Sequence, residues 1–138
     1  MANHLLIGLG GTGGKVLREF RKKVYEEFHS NEPTNGTCIN YLYVDSSEDD
    51  LNSREGWKVM GKDVHLNEAQ KVSIHGLDMN MFQNLSRYPG IKCFLNSGDI
   101  DLMTSKLGPL VTAGIGGQRR RLGRTLFANN LASRDGSD

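Results

Sequence analysis

The sequence predicts an α/β fold, a parallel sheet with flanking helices, on three observations. A short apolar run, His4-Leu5-Leu6-Ile7, ends in a dense run of glycines. An amphipathic stretch follows at the 3.6-residue period, and after it comes a segment rich in β-forming residues. Strand, glycine turn, helix and strand in that order make a βαβ unit, whose strands are parallel and whose crossover is right-handed.

Each element has its own warrant. Leu5 to Ile7 carry no polar residue to mark a solvent side, so the first strand reads as buried on both faces, as in the middle of a parallel sheet. The helix is expected from about Gly13. Val16, Leu17, Phe20, Val24 and Phe28 point inward, with Arg18, Glu19, Arg21, Lys22, Lys23, Glu26 and Glu27 on the opposite face. Ser30 to Gly36, holding Pro33 and Gly36, is a turn-rich break. Cys38 to Val44 is the second strand, ending at Asp45.

Beyond it, Ser46 to Gly61 reads as a polar loop with a helical turn and Val64 to Leu66 as a short strand. Leu77 to Tyr88 reads as a helix stopped by Pro89-Gly90, and Ile91 to Leu95 as a strand or a short helical segment. A last helix is expected over Leu122 to Leu131 with Leu122, Leu126, Phe127 and Leu131 inward, followed by a frayed tail at 133–138.

The 138 residues suit one domain or part of one, and the net charge of +1 pushes the chain toward neither nucleic acid nor a membrane surface. The 17 glycines are the outlier, nearly twice the usual share of roughly 7%. They gather at Gly8 to Gly14 and again at Gly114 to Gly117. The opening apolar run is too short for a signal segment or a membrane span, so a cytoplasmic protein is expected. Cys38 and Cys93 then read as reduced, buried thiols. They form no C-x-x-C and the histidines no metal-binding pair, so no structural zinc is expected.

The first cluster carries the chemistry. Gly8-x-Gly10-x-x-Gly13 fits G-x-G-x-x-G between a strand and a helix, which makes the domain Rossmann-like. Glycines let the backbone approach a ligand closely, and a helix start offers unpaired N–H groups and partial positive charge, so a diphosphate is the natural guest. A Walker A loop fails twice. Its first glycine falls at Leu9, and Val16 replaces the hydroxyl residue after Lys15. An NAD or FAD turn wants an acidic residue about 20 residues on; Asp45 ends the second strand but lies farther away. Two alternatives therefore stay open beside a mononucleotide site: a dinucleotide-dependent oxidoreductase, and an interaction module whose turn holds no ligand.

Gly8 to Lys15 resembles the first phosphate loop of the tubulin/FtsZ superfamily, and Gly116-Gly117-Gln118-Arg119-Arg120-Arg121-Leu122-Gly123-Arg124 resembles its third nucleotide loop. Asp45-Ser46-Ser47 takes the place of the second. The pattern is most like the divergent bacterial tubulin-like proteins and runs over the whole chain in order.

The resemblance implies GTP or GDP as ligand. Gly10, Gly11, Thr12, Gly13 and Gly14 then offer N–H groups to the phosphates beside Lys15, and Asp45 and Ser46 stand near the γ-phosphate. Asp45 holds Mg2+ through water, and Gly117, Gln118 and an arginine face the γ-phosphate. It further implies a filament-forming, cytoskeletal GTPase that hydrolyses only when a second subunit docks. The G-G-G-T-G-[ST]-G loop and the later acidic loop of that superfamily are not in this sequence. The chain is therefore expected to be the N-terminal portion of a longer nucleotide-binding domain, inactive alone.

Arg119, Arg120, Arg121 and Arg124 also read as a solvated or partner-facing patch. No aromatic platform lies near them for nucleic acid. Glu48-Asp49-Asp50 reads as a solvated helix start, Asp99 and Asp101 as flanks of a buried Ile100, and Trp57 as a packing residue.

Overall fold

A computed structural model describes residues 2–74, 86–93, 95–101 and 120–135, with side chains except at 120–121 and 131–135. The chain forms two compact units, Met1–Ser73 and Ile74–Asp138.

The first unit is the predicted α/β layer. β1 (Asn3–Leu9) leads directly into α1 (Gly10–Phe28), and β2 (Cys38–Asp45) returns parallel to β1 with Asn3 opposite Cys38 and Leu9 opposite Val44. α2 (Glu48–Asn52) follows, then an antiparallel hairpin of β3 (Lys58–Val59) and β4 (Lys62–Asp63). A 3-10 turn at Glu68–Gln70 leads to β5 (Lys71–Ser73), which pairs parallel with β2. Sheet order is β1-β2-β5, so β2 is the middle strand among the described residues.

The core lies under α1. Leu17 and Val24 meet Ile39, Tyr41 and Tyr43 of β2, with Leu51, Trp57, Val59, Val64 and Leu66 closing the far side. Each such buried aliphatic side chain stabilises the fold by about 1.5–3 kcal/mol. His29 ends α1 at φ 51°, donating its N–H to the Tyr25 carbonyl at 2.8 Å.

Several expectations are corrected. β1 is not buried on both faces: Leu5, Ile7 and Leu9 are 62%, 54% and 67% exposed. α1 covers only the side that Leu6 and Gly8 share, and an unbroken apolar run cannot mark which side that is. The inward stripe of α1 is Gly14, Leu17, Arg21 and Val24, whereas Val16 is 61% exposed and Phe20 lies at the flank. Arg21, 6% exposed, donates from Nε to the Val64 carbonyl at 2.5 Å, and its guanidinium sits 5.0 Å from the Tyr41 ring centroid. Its charge thus has a carbonyl and a π-face as partners, which periodicity alone does not reveal.

Val64 to Leu66 is not a strand; Val64 and Leu66 are buried on an irregular segment after the hairpin. The hairpin turns at Met60 and Gly61, with φ 51° and 75°. Both cysteines are free, as read, but exposed.

In the second unit, α3 (Pro89–Lys92) packs against α5 (Arg120–Asp135), with α4 (Ser97–Asp101) between them in sequence. Pro89 begins a helical turn, since proline's missing N–H costs nothing at that position. Most of the expected helix over Leu77 to Tyr88 lies outside the described residues. The Asn96 side chain accepts the Asp99 N–H at 2.8 Å and caps α4, and the Asp99 carboxylate accepts the Asn96 N–H in return at 3.1 Å. Ile100 beside it is only half-buried. α5 buries Leu122, Thr125 and Leu126, leaves Phe127 outward against expectation, and continues to Asp135.

Candidate functional site

The turn between β1 and α1 is made in one residue. Gly10 takes φ 69°, which brings Gly11 to Gly14 into the helix three residues earlier than expected. Leu9 at the cap position supplies no side-chain hydrogen bond, and the first turn holds no acidic residue. The first N–H groups of α1 therefore lack a capping side chain, at the end where the helix dipole is positive.

The glycines divide by what surrounds them. A Cβ on Gly8 would stand 2.8 Å from the Gly13 carbonyl oxygen, and one on Gly13 2.6 Å from the Gly8 carbonyl carbon. A Cβ on Gly14 would stand 2.4 Å from Cζ of Tyr43. These three let α1 lie close on the sheet. Gly10 is required by its φ. Gly11 has neither reason: its φ is ordinary for an L-residue and an added Cβ meets nothing within 4 Å.

Gly11 also lines a cleft of about 530 Å³. α1 contributes Gly11, Gly14, Lys15 and Arg18, and Tyr43 of β2 contributes to the lining. The other wall comes from Asp50, Ser53, Glu55, Gly56 and Trp57. Lys15 is exposed and has no hydrogen-bond or ion-pair partner among the described residues. Arg18 meets Glu19 at 3.3 Å, and its guanidinium lies against Gly56, whose φ is 77°.

Asp45 is buried at the end of β2. Its Oδ2 accepts from the Tyr43 hydroxyl at 3.0 Å and its Oδ1 from the Ser47 N–H at 3.1 Å. Burial first, then the Asp45 carboxylate, pushes the Tyr43 pKa upward, so that hydroxyl stays a donor. The Ser47 hydroxyl accepts from the Asp50 N–H at 3.2 Å, which caps α2 and sets Asp50 in the cleft wall.

A family model described as tubulin like matches residues 5–136. The chain belongs to the tubulin-like family. No curated protein and no solved structure matches it. The parallel sheet and its flanking helices accord with that membership.

Of the residues singled out in this tubulin-like sequence, Gly8 to Lys15, Asp45 and Ser46 fall within the first unit. Gly11, Gly14 and Lys15 line the cleft. Gly116, Gly117, Gln118 and Arg119 lie outside the described residues, as do the side chains of Arg120 and Arg121; Arg124 is exposed on α5.

The sequence reading missed Arg18, Tyr43, Asp50 and Glu55. Arg18 follows Lys15 by three residues on a helix, a spacing that puts both on one side. Tyr43 was legible only as a β-former, and the return of residues 50–57 onto α1 left no local signal. Trp57 is a packing residue, as read, set edge-to-face on His65 at 4.9 Å. Among the described residues, no three His, Cys, Asp or Glu side chains group to hold a metal ion, and no helix is long and apolar enough to cross a membrane.

Proposed function

We propose that this tubulin-like chain binds a guanine nucleotide, GTP or GDP, with the phosphates over the first turn of α1. One observation carries the reading. Gly11, which nothing among the described residues requires to be glycine, lines a cleft beside uncapped helix N–H groups and Lys15, which has no partner among the described residues. Backbone donors, a positive dipole end and a mobile ammonium are the partners a phosphate needs.

The N–H groups of Gly10, Gly11 and Thr12 take the phosphates, with Lys15 alongside. Gly8, Gly13 and Gly14 allow the close packing that aims them. Each Asp45 oxygen accepts one protein hydrogen bond and keeps a lone pair, enough to hold the nucleotide's Mg2+ through a water. The family resemblance supports guanine as the base and supports Gly116, Gly117, Gln118 and Arg119 at the γ-phosphate. It also supports head-to-tail assembly, with GTP hydrolysis when a second subunit docks.

Asp45 stands much farther from the glycine turn than the about 20 residues at which a dinucleotide site places its ribose carboxylate, which counts against the oxidoreductase alternative. Thermal unfolding with GTP, GDP, ATP and NAD, each with Mg2+, tests the reading. A ligand at 100 times its Kd adds about 2.7 kcal/mol of stability. Stabilisation by GTP and GDP is expected; a shift with NAD alone, or with none of the four, refutes it.

A further inference from the structure

We propose that Tyr43 is a positioning residue that ties the floor of the glycine turn to the Asp45–Asp50 loop across the cleft. The link to nucleotide rests on the function proposed above; the link between turn and loop rests on contacts alone.

Those contacts form an unbroken line. The Tyr43 ring fills the space that a side chain at position 14 would need, 2.4 Å from Cζ and 2.5 Å from the hydroxyl oxygen. Its hydroxyl donates to Asp45 at 3.0 Å, Asp45 accepts from Ser47 at 3.1 Å, and Ser47 accepts from Asp50 at 3.2 Å. Tyr43 and Asp45 are both buried, so neither end of the first hydrogen bond is exchanged readily for water. The ring has no slack on the helix side, because close-packed groups transmit displacement. A shift of the first turns of α1 therefore reaches the carboxylate proposed to hold the cation.

Tyr43→Phe keeps the ring and removes only the donor. In the ligand-free chain, amide hydrogen exchange at Ser47 and Asp50 is expected to quicken about tenfold, the scale of one lost hydrogen bond, with Leu17 to Val24 of α1 unchanged. Gly14→Ala, which pushes on the ring from the helix, is expected to quicken the same loop amides. Unchanged exchange at Ser47 and Asp50 in Tyr43→Phe overturns the proposal, and so does acceleration spread evenly through the unit.

GDP titrations with Mg2+ and with EDTA give the second readout. Tyr43→Phe is expected to lose most of the magnesium-dependent gain in affinity, with a clearly smaller loss of GDP affinity in EDTA. Equal loss in both titrations marks a general packing role and also overturns it. A native chain that binds GDP in neither titration refutes the nucleotide reading instead, and the exchange data then decide the turn-to-loop link by themselves.

Discussion

Replacing Gly11 with alanine separates the two reasons a glycine can stand at the start of α1. If the fold required it, alanine would strain the backbone or strike a neighbour. The structure shows neither: the φ of Gly11 lies outside the left-handed range and its added Cβ meets nothing within 4 Å. In the ligand-free protein the substitution then acts through the unfolded chain, whose freedom it reduces, and stabilises by about 0.4–1 kcal/mol. For a unit the size of Met1–Ser73 that raises the melting temperature by roughly 2–8 °C.

Binding should move the other way. A hydrogen bond to a charged group is worth about 1.5–3 kcal/mol, so a methyl that holds the phosphate off the Gly11 N–H weakens GDP about 10- to 150-fold. Scanning calorimetry reads the first effect and isothermal titration the second. A Gly11→Ala chain that melts lower than the native one, or that binds GDP equally well, refutes the assignment of Gly11 to the ligand.

Lys15→Gln should leave stability within about 0.5 kcal/mol, since the exposed ammonium has no partner among the described residues to lose, yet weaken GDP about tenfold and flatten its salt dependence. Arg21→Leu leaves the Val64 carbonyl unpaired and removes the charge over Tyr41, so urea denaturation should show a loss of about 2–4 kcal/mol. His65 has both ring nitrogens buried without hydrogen-bond partners among the described residues, and burial first, then Lys71 and Arg54, lowers its pKa below the ordinary 6.5. Falling pH protonates the unfolded chain first, so stability should be complete above about pH 6.5 and decline below it, and His65→Phe should flatten that decline. Asp63, held low first by the His65 N–H, adds its own loss only below about pH 3.8.

The βαβ order, the parallel pairing of β1 with β2 and the glycine turn were all legible in the sequence, because hydrophobic period and glycine placement are local signals. The fine assignment of faces was not. Val16 and Phe20 fit the helical period as well as Leu17 and Val24 do, and only the position of β2 decides which pair is buried. Arg21 looks solvated until the Tyr41 ring and the Val64 carbonyl are brought to it by chain 20 and 43 residues away. The strand expected at Val64 to Leu66 failed for the same reason. Its alternating burial comes from packing under α1, without a neighbouring strand to pair with.

By itself, then, the sequence determined a strand, a glycine turn and a helix start that suit a phosphate, since φ preferences and backbone donors follow from residue type. Tertiary structure decided which glycines serve the fold and which is left for a ligand. It did so by placing Tyr43 under Gly14 and Gly8 against Gly13 while leaving Gly11 open. It also folded residues 50–57 back to make the second wall of the cleft. A glycine's reason lies in what surrounds it, and surroundings exist only once distant segments have met.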